Sequence, residues 1–287
     1  MEINSLQDYI SYIDGLENFA LDVPMAGMFN VFRGQANKEW KLSPSLYRNN
    51  LFYAENLLLT HLKRICPTEV LDNRFDTLVK MQHFGLPTRL LDVTLNPLVA
   101  LYFACNMEYD KDGSVYIYKR NVGFWQNSTI IIDLFMDYIF DCSPTNIDLI
   151  EFLNKENSKY ELDQRAGYIR NVDELKDILS KTWLIIPDKT NKRIDRQDGC
   201  FFLFGMDFEI CNKSSKLGEK FYNAKPIADP DFSYEKLLVP SSKKKGIISQ
   251  LSKMGINEAS LFPDIEHQIK YTIEIVKERM IKTNTIQ

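Results

Sequence analysis

A chain of 287 residues with 35 Lys+Arg against 39 Asp+Glu carries a formal net charge of −4, and 45% apolar with 26% charged residues is ordinary globular usage. Those proportions exclude a disordered chain, a collagen-like fibre and a coiled-coil rod. The slight acidic excess also argues against non-specific duplex binding, which draws on a basic surplus because each neutralised phosphate releases counterions.

The first element reads as a helix. Ser5 caps it, and Leu6, Tyr9, Ile10, Ile13 and Leu16 recur at helical spacing. Met28–Gly34 (MFNVFRG) is short, apolar and β-prone, which predicts a strand that stops at glycine. After a polar, Pro-containing stretch, the spacing predicts helices over about 53–66 and 68–84. The second carries Leu71, Phe75, Leu78 and Met81 on one face and ends at Gly85. Leu86–Thr94 reads as a connection. Asn96 is a good N-cap and Pro97 suits a first helical turn, so LVALYFACNM should form a largely buried helix.

The later part is strand-rich. Ser114–Lys119, Thr129–Leu134, Trp183–Ile186, Cys200–Phe204 and Leu237–Val239 are β-branched or aromatic runs between breakers. Residues 141–181 are more polar, partly helical in pattern, and read as an insertion between strands. Lys243–Lys245 reads as the solvated start of a helix ending at Gly255. A last helix opens at Pro263 and spaces Ile265, Ile269, Ile273, Val276 and Met280 by three and four; it could pack on its own domain or on a partner. Helices first and strands later indicate α+β organisation rather than βαβ alternation.

Five scattered cysteines without a CxxC pair read as reduced thiols, and three histidines are too dispersed for a ligand cluster, so no metal is expected. The opening residues lack a basic start followed by an apolar run, and no stretch approaches the ~18–20 apolar residues of a membrane span. A cytoplasmic protein with no membrane partner is the expectation.

Polar chemistry concentrates in Gln82–Cys105. His83, Thr88, Arg89, Asp92, Thr94 and Asn96 fall within 14 residues, between apolar helices. Such groups either face a cleft or satisfy one another in a core. Asp92 can pair with Arg89 or cap a turn, and Thr94 and Asn96 can cap the helix at Pro97, whose free N–H groups also favour an anion. Arg33 ends a strand with a planar fork suited to phosphate, or pairs with a carboxylate. Gly34 beside it would let a ligand approach the backbone.

FRGQ at Phe32–Gln35, W-x-L-x-P-S-L-x-R at Trp40–Arg48, the QHFGLPTRLLDVTLNPLVALYFA run, RQDGCFFLF at Arg196–Phe204 and the closing GI then LFPD within Gly246–Asp264 together resemble the FRG domain family. The motifs run from about residue 28 to 270, in order, and imply one FRG domain over 1–287. The resemblance extends to ADP-ribosyltransferase-like folds. It implies a helical N-terminal part packed on a strand-rich, ADP-ribosyltransferase-like core with C-terminal helices. NAD would be the substrate and a macromolecule the acceptor, as in a bacterial toxin or a phage-defence effector. Arg33 would grip the NAD phosphate, Thr94 would be the hydroxyl residue ahead of a helix, and Gln197 would stand where that fold usually opens a late strand with Glu. Gly34, His83, Thr88, Arg89, Asp92 and Asn96 would complete the nucleotide contacts, with Asp92 or Asp198 deputising for the missing acid. Gln197 can bond a ribose hydroxyl but cannot act as a base, which keeps open a non-catalytic nucleotide- or nucleic-acid-sensing module on the same scaffold. A protein-interaction domain is a third reading.

Overall fold

The computed structural model describes residues 1–16, 27–122, 129–162, 169–189, 191–211, 220–227 and 233–284. Helix α1 (Leu6–Asp14) starts at Ser5, whose hydroxyl accepts from the Asp8 N–H. Strand β1 (Gly27–Gln35) and the short α2 (Ser45–Arg48) follow, then α3 (Glu55–Ile65) and α4 (Arg74–His83). Helix α4 begins later than the spacing predicts, because the Asn73 side chain accepts from the Phe75 and Asp76 N–H groups and fixes the cap there. Leu71 therefore lies outside the helix. Strand β2 (Leu90–Thr94) occupies much of what reads as a connection. All its residues but Asp92 are buried, on both faces, so no apolar–polar alternation marks the strand. Helix α5 (Pro97–Cys105) starts as expected, with Asn96 Oδ1 accepting from Leu98 and Val99.

Strand β3 (Gly113–Val122) precedes α6 (Thr129–Asp141), which corrects the reading of Thr129–Leu134 as a strand. Ile131, Leu134, Phe135, Tyr138 and Ile139 are all buried at spacings of three and four, and that packing overrides the β-propensity of the isoleucines. Residues 141–181 hold β4 (Ile147–Asp148), α7 (Leu149–Leu162) and α8 (Val172–Ser180). Then come β5 (Trp183–Ile185), α9 (Lys192–Arg196), β6 (Gly199–Leu203), β7 (Met206–Cys211), β8 (Phe221–Pro226), β9 (Glu235–Val239), α10 (Ser241–Lys253), α11 (Glu258–Leu261) and α12 (Ile265–Asn284). Helix α12 leaves Ile265, Ile269, Ile273, Val276 and Met280 exposed.

The main sheet has the order β5-β6-β2-β1-β3-β9 with antiparallel neighbours, and β4-β8-β7 form a second, smaller sheet. This mixture of helix and sheet is the α+β organisation. Within the main sheet, β1 pairs β3 from Gly27↔Val122 to Gln35↔Ser114, and β2 pairs β6 from Leu90↔Leu203 to Thr94↔Gly199. Strands β1 and β2 pair only at Phe32↔Thr94. Two three-stranded halves are thus joined at one point and splay apart beyond it.

Each half carries its own core on the same face. Phe32, Val115 and Ile117 pack under α5 with Tyr9, Ile247 and Leu251, while Leu90, Phe201 and Leu203 pack with Phe75 and Leu78 of α4 and with α6. The opposite face buries Val31, Leu91, Val93, Tyr118 and Phe202.

Two features of the first half correct the sequence reading. A Cβ on Gly34 would stand 1.8 Å from the Ala100 carbonyl oxygen and 2.7 Å from the Ala104 nitrogen. Gly34 is therefore glycine because the α5 backbone lies directly on β1 there, whatever a ligand requires. Lys244, read within a solvated run, is fully buried; its Nζ donates to the carbonyls of Ala36, Met107 (2.9 Å) and Glu108 (2.9 Å), tying the end of β1 to the turn after α5. Lys243 and Lys245 on either side are exposed.

Candidate functional site

Where β1 and β2 part, a cavity of about 310 Å³ opens between the two cores. Its walls are Arg33, Gly34 and Gln35 from β1, Asp92 and Thr94 from β2, Gln82 and His83 from α4, Phe103 from α5, Arg193 from α9, and Gln197. Six of the residues singled out in the sequence, Arg33, Gly34, His83, Asp92, Thr94 and Gln197, thus meet in one place although they span 165 positions from Arg33 to Gln197.

Arg33 is half-buried. Its Nη1 donates to the Asp92 backbone carbonyl, and its Nε has no hydrogen-bond partner among the described residues. No carboxylate among the described residues lies within ion-pair distance of it. Burial lowers its pKa from the ordinary value, opposed by the field of Asp92; an arginine so placed stays charged. The Asp92 side chain accepts from Gln82 Nε2 at 2.8 Å, and Gln82 Oε1 in turn accepts from the Thr88 hydroxyl.

Arg193 is the second cation of the cleft and has no carboxylate ion pair among the described residues. Its Nη1 donates to His83 Nδ1 at 2.9 Å, and its guanidinium lies 4.7 Å from the centre of the Phe262 ring. Because Nδ1 accepts, the His83 proton sits on Nε2, which faces Asp264 Oδ1 at 3.4 Å. Burial, then the neighbouring Arg193 charge, lowers the His83 pKa, with Asp264 opposing. His83 is neutral at pH 7 and holds Arg193 in place. His267 stacks on the other part of this wall, 4.6 Å from the Phe262 ring.

Thr94 and Gln197 meet through the chain. The Thr94 hydroxyl donates to the Gln197 backbone carbonyl at 2.6 Å and accepts from the Asn96 N–H at 2.9 Å. The Gln197 side chain donates from Nε2 to the Leu261 carbonyl at 3.0 Å. Gln197 does not open a strand: it caps the C-terminus of α9, two residues before β6. Asp198, at φ 44°, accepts from Asn96 Nδ2 at 3.2 Å and faces Lys189 at 3.5 Å. Asp92 is therefore the carboxylate of the cavity wall, and Asp198 is not part of it.

Three expected contacts fall elsewhere. Asn96 caps α5 and holds Asp198. Thr88 is buried, bonding Gln82 and the Leu90 N–H. Arg89, 1% exposed, forms a two-pronged ion pair with the buried Glu55, with Nε 2.9 and 3.1 Å from its oxygens, and donates to the Phe204 carbonyl at 3.2 Å. That pair clamps α3 to the sheet and removes Arg89 from ligand binding. Gln35 and Gln82 stand inside motifs singled out in the sequence without a site role of their own, and Arg193 went unnoticed. Arg193 lies in a polar stretch without periodicity, and only the LFPD run, which supplies Leu261, Phe262 and Asp264, points to that wall.

Residues 29–113 match the family model of the FRG domain. This segment is similar to the FRG domain. It runs from within β1 to the start of β3 and includes Arg33, Gln82, His83, Asp92 and Thr94, so the FRG-like segment supplies most of the cleft, while Arg193 and Gln197 lie beyond the matched residues. Searches of curated proteins and of solved structures give no match.

All five cysteines are free; Cys105 and Cys200 are buried, and burial pushes the Cys105 thiol up to about 12. Among the described residues no group of three or more His, Cys, Asp or Glu is placed to hold a metal, and no helix is long and apolar enough to cross a membrane.

Proposed function

We propose that the cleft binds a phosphate-bearing nucleotide, with NAD the first ligand to test, and that the chain is an ADP-ribosyltransferase-like enzyme acting on a macromolecular acceptor. The observation that carries this reading is the pair of arginines, Arg33 and Arg193, in one cavity without a carboxylate ion pair of their own. Two guanidinium forks in one cavity suit a diphosphate, which accepts from both.

The reaction breaks the bond between the ribose carbon and nicotinamide, and the acceptor's nucleophile forms the new bond to that carbon. Its transition state is oxocarbenium-like. Positioning and electrostatics dominate such a step. Arg33 and Arg193 hold the diphosphate, and the Gln197 amide oxygen accepts from a ribose hydroxyl while its nitrogen is fixed on Leu261. Asp92, the carboxylate in the wall, stabilises the developing positive charge and takes the acceptor's proton. An effector role in the cytoplasm, as a toxin or a phage-defence protein, accords with this chemistry and rests on the family resemblance.

One observation favours a second reading. The third position holds an amide engaged with Leu261 rather than a free carboxylate, which suits a nucleotide or nucleic-acid sensor that binds without turnover. Labelled NAD, incubated with and without cell extract, separates the two. The enzyme reading expects nicotinamide release that falls roughly 10²–10³-fold in Asp92→Asn, the range for one preorganised polar group. Binding with no release from any preparation selects the sensor. Release undiminished in Asp92→Asn removes Asp92 from the chemistry.

A further inference from the structure

Asp92 is tied into the cleft wall by a chain of two further side chains, Gln82 and Thr88. The chain starts at Thr88, just ahead of β2, which is 1% exposed and lies behind the cavity wall rather than in it. The Thr88 backbone is fixed on both sides. Its N–H donates to the Ser45 hydroxyl at 3.3 Å, and its carbonyl accepts from the Leu46 N–H at 3.1 Å. The Thr88 hydroxyl accepts from the Leu90 N–H at 3.2 Å and donates its one proton to Gln82 Oε1. Gln82, in the last turn of α4, then donates from Nε2 to Asp92 Oδ1 at 2.8 Å.

The order of donors and acceptors fixes which way each group faces. With the Thr88 proton on its oxygen, the Gln82 amide turns its N–H groups to Asp92. The reverse orientation would set the amide oxygen against a carboxylate oxygen, two acceptors with no proton between them. One Asp92 oxygen is thereby committed. The other, Oδ2, has no partner among the described residues, and Asp92 is the one exposed residue of β2.

We infer that Thr88 and Gln82 are positioning residues for Asp92: the buried hydroxyl orients the Gln82 amide, the amide fixes Oδ1, and Oδ2 is presented to the ribose and to the acceptor's proton. A carboxylate already turned to its working position loses no rotational freedom when the ligand arrives, and it meets developing charge without reorganising. This inference rests on the enzyme reading of the cleft. It gives Thr88 an effect on chemistry that its side chain never touches.

The test measures nicotinamide release from NAD, as kcat and KM, in Thr88→Val, Thr88→Ser and Gln82→Met, alone and combined with Asp92→Asn. Melting temperatures are taken on the same samples. Valine keeps the shape of threonine and removes the hydroxyl; serine keeps the hydroxyl and removes the methyl group. Thr88→Val and Gln82→Met should each lower kcat about tenfold with KM little changed, as for an interaction realised in the transition state. Thr88→Ser should keep the wild-type kcat even where its melting temperature falls. Beside Asp92→Asn, neither Thr88→Val nor Gln82→Met should lower kcat further. A wild-type kcat in folded Thr88→Val or Gln82→Met overturns the inference and leaves the enzyme reading standing. So does a loss that follows melting temperature across the two Thr88 variants, or one that persists in full beside Asp92→Asn. If wild type releases no nicotinamide, the enzyme reading falls and takes this inference with it.

Discussion

The Arg193 guanidinium donates to Nδ1 of His83 across 2.9 Å, joining α9 to α4 at the mouth of the cleft. The bond requires a neutral imidazole with its proton directed at Asp264. Burial and the Arg193 charge depress the folded-state pKa of His83 below the unfolded value of about 6.5. Between the two values the unfolded chain binds more protons, so folding stability falls as the pH drops below about 6.5 and is restored above it. Urea midpoints from pH 5 to 7.5 should show that slope, and His83→Gln should flatten it. A slope unchanged in His83→Gln would assign the titration to another group.

Arg89 belongs to the fold and not to the ligand. Glu55→Ala strands a buried guanidinium and should cost about 3–5 kcal/mol. Ligand affinity, measured where the variant is still folded, should stay within twofold of wild type. A specific loss of affinity with normal stability would return Arg89 to the cleft.

Gly34→Ala drives a methyl group into the α5 backbone. Overpacking of this kind costs typically 1–3 kcal/mol, and more where backbone rather than a side chain must move. Equilibrium unfolding should show a large loss. Normal stability with impaired ligand binding would mean that the glycine serves the ligand.

Lys244→Met should destabilise by about 1.5–3 kcal/mol, since three carbonyls lose a charged donor. Lys243→Met and Lys245→Met, at exposed neighbours, should each change stability by less than about 0.5 kcal/mol. Equal effects from all three would place the role in the charge of the run.

Much of this was legible in the sequence, for reasons that particular residues show. Ser5, Asn96 and Pro97 announce their helices because caps act locally, through the next two or three N–H groups. Arg33, Asp92 and Thr94 could be gathered because they lie in or beside apolar runs that end abruptly, whereas Gln197 came only from the family resemblance. Thr129–Leu134 misled because a threonine followed by three isoleucines favours a strand until α3 and α4 offer the run a helical groove. Lys244 looked solvated because nothing local marks which of three lysines meets the turn after α5. Arg89 resembled a ligand contact because its partner, Glu55, is 34 positions away. Glycine at 34 was ambiguous for the same reason: only the tertiary fold brings Ala100 against it.

The central claim is that Arg33 and Arg193 jointly hold a diphosphate between the two halves of the sheet. Calorimetric titration of NAD into wild type, Arg33→Lys and Arg193→Lys tests it most directly, with melting temperatures taken on the same samples. Lysine keeps the charge and loses the fork. Wild type should bind, and each variant should bind about tenfold or more weakly with its melting temperature little changed, as for the loss of one charged hydrogen bond worth roughly 1.5–3 kcal/mol. No binding by wild type, or unaltered affinity in both variants alongside a marked fall in melting temperature, would contradict the account and leave both arginines as parts of the fold.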